Sequence, residues 1–274
     1  MSITPRKLRF DLPDSLDPVI IEGEPEESYI NVAMSILLPH LEPYLIKTMR
    51  LAKREVRDEA LAADLEAFCA QEGHHYRQHA LLNQALVRGG ARGFEELERE
   101  LAADYQRFQR SRSLRFNLAY AEGFEALTTA MALVFTGEDK SRWNPAVLDV
   151  FLWHLLEELE HRTVAFEVYE HVVGSYPYRI TVGAYAQWHL LRFLIRAANA
   201  MLAADPRTQA EFGGKPGRRR REPRLRALLF KKVLPRLSRT YRYRYSPRDL
   251  EMPAELEALM APYTARARSA RATS

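Results

Sequence analysis

The stretches Glu72-Gly73-His74-His75 and Glu158-Leu159-Glu160-His161 repeat one spacing, in which a carboxylate precedes an imidazole by three residues. Both lie in segments that have the composition of long helices, and helical positions three apart project from the same face. Each stretch therefore offers one oxygen and one nitrogen ligand to a shared point. Two such pairs can hold two metal ions, and the repeat predicts a metal-binding helical bundle.

The repeat is more informative than either copy. A single E-x-x-H step arises easily by chance in a chain with 36 acidic residues and 8 histidines, and alone it is more often a solvated glutamate beside a packed histidine. The two glutamates lie 86 residues apart, which leaves room for two connections and another helix. Ferritin-like di-metal bundles use this arrangement, with one further Glu from each of the other two helices.

Two glutamates in apolar surroundings can fill those positions. Glu42 lies in the apolar run 37–46, and Glu125 lies in the run 117–133, whose only other charge is Glu122. An unpaired carboxylate on such a face costs on the order of several kcal/mol, so a bound cation is a natural compensation. Three alternatives stay open: Glu42 as a helix cap, Glu125 in solvent, and Glu122 in place of Glu125.

Further candidates share the faces of the two pairs. His154 lies four residues before Glu158, and His79 lies four residues after His75. Either imidazole could be a seventh ligand or a group that orients a ligand, and a packing role is equally open for His79. Glu157 is an alternative to Glu158 as the ligand on this helix, although only Glu158 lies three residues before His161 and so repeats the E-x-x-H spacing.

Three runs carry a resemblance to a known family. The segments 38–42, 71–79 and 153–169 resemble the bacterial family of predicted metal-dependent hydrolases in the ferritin-like superfamily, and the likeness extends from about residue 35 to about 200. It implies an all-α fold, a ferritin-like four-helix bundle with additional C-terminal helices. Leu38 and Leu41 replace the family's usual Phe and Gly, and Ala126 stands where a His is expected, so Glu122 stays an alternative to Glu125 as the ligand on the third helix. The ligands implied are Glu42, Glu72, His75, Glu125, Glu158 and His161.

A second resemblance concerns the chemistry. The order H-x-x-x-E-x-x-H at His154, Glu158 and His161 is similar to the di-iron sites of aminobenzoate N-oxygenase-like enzymes and implies His154 as an added ligand. A site rich in glutamate suits iron or manganese, and the zinc motif H-E-x-x-H is missing because Tyr76 stands where its Glu would be.

These likenesses lead to ranked expectations about function. We expect two metal ions, with iron favoured over manganese and zinc. A di-metal oxidoreductase that activates dioxygen is favoured over a metal-dependent hydrolase of an ester or phosphoester, and a non-catalytic metal-handling protein is the third interpretation. The substrate is expected to be a small molecule or an acyl chain.

Composition predicts one mostly helical chain. Hydrophobic residues make up 47% of the 274 residues, the single Cys69 excludes an internal disulfide, and the start lacks an apolar signal segment, which together predict a cytoplasmic protein. The expected division is a lead-in at 1–27, the bundle at 28–204 and an extension at 205–274. Within the bundle we predict a helix starting at Pro39, followed by helices at 60–88, 94–136 and 145–173.

Positive charge is concentrated in the extension. Residues 215–248 contain fourteen Lys or Arg and one acid, while the whole chain carries only +4. Interleaved leucines indicate a basic amphipathic helix, which predicts contact with an anionic membrane surface at the inner face of the membrane. The alternative is that this segment docks on its own acidic fold or on a second subunit of a homodimer. No specific nucleic acid is expected.

Overall fold

The computed structural model describes residues 3–272. Within them it contains helices and one isolated β-bridge between Ile21 and Trp143, but no β-strand, which confirms the predicted all-α class. A π-helical turn at Leu228–Val233 and a 3₁₀ turn at Pro247–Asp249 interrupt the C-terminal part. The α-helices of this region are α1 Pro25–Ala52, α2 Glu59–Arg88, α3 Glu95–Ser111, α4 Leu114–Phe135, α5 Pro145–His161, α6 Val164–Val172, α7 Tyr176–Ala204, α8 Arg207–Ala210, α9 Gly214–Ala227, α10 Leu234–Arg239 and α11 Leu256–Ala272.

Helices α1, α2, α4 and α5 form the bundle. Helix α1 runs antiparallel to α2, since Ser35 in its first half contacts His79 in the second half of α2, whereas Ile46 in its second half contacts Cys69 in the first half of α2. It also runs antiparallel to α4, where Tyr44 binds Asn117. Helices α2 and α4 are therefore parallel, and α3 provides the long crossover between them. One such crossover joins the helix pairs of ferritin-like bundles, so the architecture is compatible with that fold.

Helix α1 passes through two prolines without a break. The predicted helix start at Pro39 is wrong, because α1 continues from Pro25 to Ala52 through both Pro39 and Pro43. Each proline removes one backbone donor, but α1 is packed against α2, α4 and α7, and its side chains are buried before and after the prolines. Glu42 consequently lies inside a helix, which excludes the capping role.

Two predicted helices are each divided into a pair. The segment 94–136 breaks at Arg112, and Ser113 caps α4 by accepting a hydrogen bond from the backbone of Phe116. The segment 145–173 breaks after His161. The predicted end at residue 173 is confirmed to within one residue, since α6 ends at Val172 and Gly174 follows with a left-handed backbone, φ of 59°.

Helices α4 and α7 approach closely where two glycines meet. A Cβ atom added to Gly123 would lie 2.4 Å from the Cα of Gly183, so only glycine fits at this crossing. The close approach brings Arg179 of α7 to Glu122 of α4, at 2.9 Å.

The terminal segments pack against the bundle. Several apolar side chains of the segment before α1 are buried, including Leu8, Phe10 and Ile20. In the basic segment, Arg221 pairs with Glu26 and Arg224 pairs with Glu24, both at the start of the fold. This is the contact with the chain's own acidic residues that the sequence left open. Membrane contact stays a prediction, as does the division into lead-in, bundle and extension.

Among the described helices, α4 alone has the length and hydropathy to cross a membrane, and 83% of its most apolar window is buried in the protein. Such burial is typical of the core helix of a soluble protein. The cytoplasmic location stays a prediction.

Candidate metal centre

The four helices of the bundle bring the predicted ligands to one buried point. Glu42 comes from α1, Glu72 and His75 from α2, Glu125 from α4, and the remaining three residues from α5. All are at most 4% exposed. The seven side chains are Glu42, Glu72, His75, Glu125, His154, Glu158 and His161.

Most of their ligand atoms have no hydrogen-bond partner in the protein. Both oxygens of Glu42, Glu72 and Glu125 are buried without a hydrogen bond within residues 3–272. The same holds for Nδ1 of His75 and Nε2 of His161. Buried polar atoms are almost always paired, so a cluster of unpaired oxygen and nitrogen atoms that point at one another indicates a bound cation.

The cluster divides into overlapping compartments. Within each of three groups the ligand atoms lie inside 4.8 Å of one another: Glu42 with His75 and His154, Glu72 with His75 and Glu158, and Glu72 with Glu125 and His161.

Glu72 occupies the middle of the cluster. Its Oε1 is 3.6 Å from Nδ1 of His75 and 3.3 Å from Nε2 of His161. Oε1 of Glu158 lies between the same two imidazoles, at 3.9 and 3.5 Å. Both carboxylates thus lie between His75 and His161.

Packing several carboxylates together makes the site accept positive charge. Burial, followed by the charges of Glu72, Glu158 and Glu125, raises the pKa of Glu42 well above its ordinary value. Burial and the charge of Glu158 raise the pKa of Glu125 to about 8. Burial opposes ionisation of His161, but Glu158 and Glu125 outweigh it and raise its pKa well above the usual range. Bound cations would replace these protons.

Two further residues orient the imidazoles. The amide oxygen of Gln71 accepts a hydrogen bond from Nδ1 of His161 at 2.9 Å, which leaves Nε2 facing the cluster. Nε2 of His75 binds Glu157 at 2.9 Å, which leaves Nδ1 facing the cluster. Glu157 therefore lies behind His75, and Glu158 is the residue that points inward. Such outer partners fix ring orientation and tautomer in metal sites.

An arginine outside the bundle binds the residues behind the imidazoles. We call these residues, Gln71, Glu157 and Glu160 together with Arg6, the outer layer. The guanidinium of Arg6 binds Glu157 at 3.0 Å and Glu160 at 2.9 Å, and all three side chains are buried. Glu160 in turn accepts a hydrogen bond from the amide nitrogen of Gln71 at 2.6 Å. The two acids and Arg6 thus form a continuous network behind both imidazoles.

His154 is held by a chain of hydrogen bonds. Ser35 donates its hydroxyl proton to Asn83, so its oxygen accepts from Nδ1 of His79, at 2.8 Å. Nε2 of His79 then accepts from Nδ1 of His154, also at 2.8 Å. The Nε2 lone pair of His154 consequently faces Glu158 at 2.9 Å. Two acceptors at this distance repel, and a cation bound by both removes the repulsion.

The family is shown by a comparison with known proteins. A family model described as predicted metal-dependent hydrolase matches residues 4–251. The chain belongs to this family. No curated protein and no solved structure gives a significant match.

Membership of the metal-dependent hydrolase family corrects one expectation. The sequence favoured a di-metal oxidoreductase, and this prediction is wrong, because the family description points to hydrolysis. The error came from ranking a local likeness in helix α5 above the likeness that covers most of the chain. Metal binding agrees with the family and with the clustered ligand atoms, whereas the identity of the metal is not fixed by either.

Sequence reasoning missed most of the outer layer in this family member. Glu157 and Glu160 are spaced three apart on the buried face of α5, which is a signal for a shared basic partner. Nothing in the local sequence identifies Arg6 as that partner, since it lies in irregular chain 151 residues before Glu157. Gln71, which directly precedes Glu72, also carries no pattern of its own.

Proposed function

We propose that this chain is a hydrolase that binds two divalent metal ions between α1, α2, α4 and α5 and cleaves an ester or phosphoester. The observation that carries the proposal is three overlapping groups of buried ligand atoms within 4.8 Å, most of which have no hydrogen-bond partner in the protein. The family description supports the same reaction class. Two divalent ions, when bound, supply Lewis acidity that polarises the substrate oxygen and lowers the pKa of water.

The residues of the chain hold and orient this centre. Glu72 and Glu158 lie between the two ends and are proposed as bridging ligands. Glu42, His75 and His154 are proposed for one ion, and Glu125 and His161 for the other. Hydrogen bonds with Gln71 and Glu157 fix the ring orientations of His161 and His75. A small displacement of the outer layer would therefore weaken metal binding at both ends of the site.

The types of ligand atom restrict which metal ion the site prefers. Four carboxylates and three imidazoles are accepted by iron, manganese and zinc, and the excess of carboxylate oxygen favours iron or manganese. We propose iron first, with manganese and zinc as the alternatives. Metal analysis by mass spectrometry after expression with each ion tests this order, and a preparation that takes up only zinc would contradict it.

The proposal is tested by reconstitution. Metal-free protein is loaded with Fe²⁺, Mn²⁺ or Zn²⁺ and assayed with p-nitrophenyl butyrate and with bis(p-nitrophenyl) phosphate. We expect two ions per chain and hydrolysis of one probe class by the loaded protein, and no hydrolysis by the metal-free protein.

Two variants on α2 provide the matched control. Glu72→Gln removes a proposed bridging ligand and is expected to abolish both ion binding and hydrolysis. Glu66→Gln changes an exposed glutamate that pairs with Lys53 at the surface and should leave both unchanged. Equal hydrolysis with and without metal, or by Glu72→Gln and wild type, would refute the proposed function.

A further inference from the structure

An elongated cavity lies beside the metal centre. It has a volume of about 300 Å³ and is bounded by α1, α4, α5 and residues 224–233. His154 belongs to both features, because its ring lines the cavity while its Nε2 lies 3.8 Å from Oε1 of Glu42. Leu38 and Thr128, one helical turn from Glu42 and Glu125, line the same end. The inner end of the cavity is therefore the approach to the metals.

The inner end of the cavity is uncharged apart from the metal centre. Beside His154 its wall consists of Leu38, Thr128, Met131 and Leu155. The exposed charged residues of the lining, among them Asp139, Arg224, Lys231 and Lys232, come from the end of α4 and from the basic segment. A phosphate group at the inner end would find no Lys or Arg, whereas a neutral ester would need none.

The shape of the cavity fits a chain better than a ring system. Along α1 the lining extends from Glu27 to Leu38, which is about 16 Å of helix. A volume of about 300 Å³ spread over that length leaves a narrow cross-section, and apolar side chains dominate the lining between the two ends. Such a space favours a linear apolar chain.

We propose that the substrate is a carboxylic ester with a linear apolar acyl chain, which lies in this cavity with its carbonyl at His154 and the metal centre. This assignment rests on the proposed hydrolase function. In the reaction the oxygen of water bonds to the carbonyl carbon and the bond from that carbon to the alkoxy oxygen breaks. One proton of water leaves with the alcohol, and the other is released from the carboxylic acid product.

The basic segment thereby acquires a role within the site. Leu225, Leu228 and Val233 close the outer wall of the cavity, and the last two lie on the π-helical turn Leu228–Val233. π-Helical turns often occur at functional sites, and this one turns apolar side chains inward while Lys231 and Lys232 stay exposed. The apolar residues that suggested a membrane-facing helix are thus partly used to enclose the acyl chain.

Chain-length dependence tests the assignment with p-nitrophenyl acetate, butyrate and hexanoate. Each buried methylene is worth about fourfold in transition-state binding, so kcat/KM of the metal-loaded protein should rise by about fourfold per methylene along the series. Leu155→Trp fills the inner end and should remove this rise. Leu152→Trp changes a similarly half-buried residue of α5 outside the lining and should keep it.

A binding measurement on metal-free protein separates this inference from the hydrolase proposal. The uncharged linear polyene methyl trans-parinarate, a fluorophore whose emission rises in apolar surroundings, should bind the wild type and Leu152→Trp, and bind Leu155→Trp at least tenfold more weakly. Rates independent of chain length, or equal fluorophore binding by both variants, would overturn the assignment of the cavity. Fluorophore binding as expected, without hydrolysis of any carboxylic ester or phosphoester, would support the cavity as an apolar-chain site and refute the hydrolase proposal.

Discussion

Two buried carboxylates on α4, one turn apart, have opposite surroundings. Glu122 faces Arg179 of α7 at 2.9 Å, and burial raises its pKa to about 7 although the arginine opposes the shift. Glu125 faces Glu72, Glu158 and His161, has no Lys or Arg partner among the described residues, and has a pKa raised to about 8.

Glu122 and Glu125 show two ways in which the charge of a buried carboxylate is compensated. Burying an ionised carboxylate is costly unless a cation compensates it. At Glu122 the chain supplies the cation through the close crossing of α4 and α7 at Gly123 and Gly183. At Glu125 the chain supplies more carboxylates, so compensation must come from protons or from bound ions. Sequence alone left the choice between these two glutamates open, and the position of Arg179 distinguishes them.

The largest expected effect concerns metal stoichiometry. Glu125→Gln should bind one ion instead of two, with affinity at the lost position reduced by about 1,000-fold, because a neutral amide replaces a charged ligand. Glu122→Gln should retain two ions. Metal content after dialysis, measured by mass spectrometry, gives both values. Two tightly bound ions in Glu125→Gln would remove the distinction between the two glutamates.

The next effect concerns stability at the Glu122 site. Arg179→Met should lower the free energy of unfolding by about 3 kcal/mol at pH 8, because it leaves Glu122 buried without its partner. The double variant Arg179→Met with Glu122→Gln should recover most of this loss. Urea unfolding of metal-free protein measures both. No recovery in the double variant would show that the packing of Arg179 matters more than its charge.

A smaller effect is expected from the outer layer of the metal centre. Gln71→Leu should weaken metal binding by about 10- to 100-fold, because His161 loses the acceptor that fixes its ring. Gln187→Leu provides the control, since Gln187 is a buried amide on α7 that binds Gly123 and Tyr241 instead. Calorimetric titration with Mn²⁺ compares them. Equal affinity in the two variants would contradict the orienting role of Gln71.

The most gradual effect is a pH dependence at Glu122, spread over more than two pH units. Its pKa of about 7 in the folded protein exceeds the ordinary value of 4.5, so between these values the folded state holds a proton that the unfolded state has lost. The resulting contribution to stability is lost as pH rises from 4.5 to 7, by at most about 1.4 kcal/mol per pH unit. Glu122→Gln lacks this carboxyl group, so its free energy of unfolding should rise relative to that of the wild type as the pH increases over that range. Parallel stability curves for the two proteins would contradict the raised pKa.

Local patterns in the sequence predicted the parts of the site that lie on helix faces. The two E-x-x-H steps placed Glu72, His75, Glu158 and His161 correctly on inward faces, because helical periodicity fixes which side chains share a face. The continuity of α1 through Pro39 was not predictable from propensity, since packing on three sides overrides the cost of the prolines. The break after His161 was also missed.

Contacts between distant segments could not be read from the sequence. The bond between Gln71 and His161 and the pairing of Arg179 with Glu122 depend on how helices pack, and no single-sequence pattern records that. The reaction class was misjudged for a related reason. Ligand types restrict the choice of metal, but they do not distinguish hydrolysis from oxidation, and the match over residues 4–251 was needed to correct the expectation.

The anchoring of the outer layer by Arg6 has a consequence for biosynthesis. Arg6 leaves the ribosome long before its partner Glu160, which follows 154 residues later, and synthesis proceeds at about 5–20 residues per second. The nascent chain therefore carries Arg6, Glu42 and the α2 ligands for several seconds before α5 emerges. Assembly of the complete coordination network must be a late event in the life of the nascent protein.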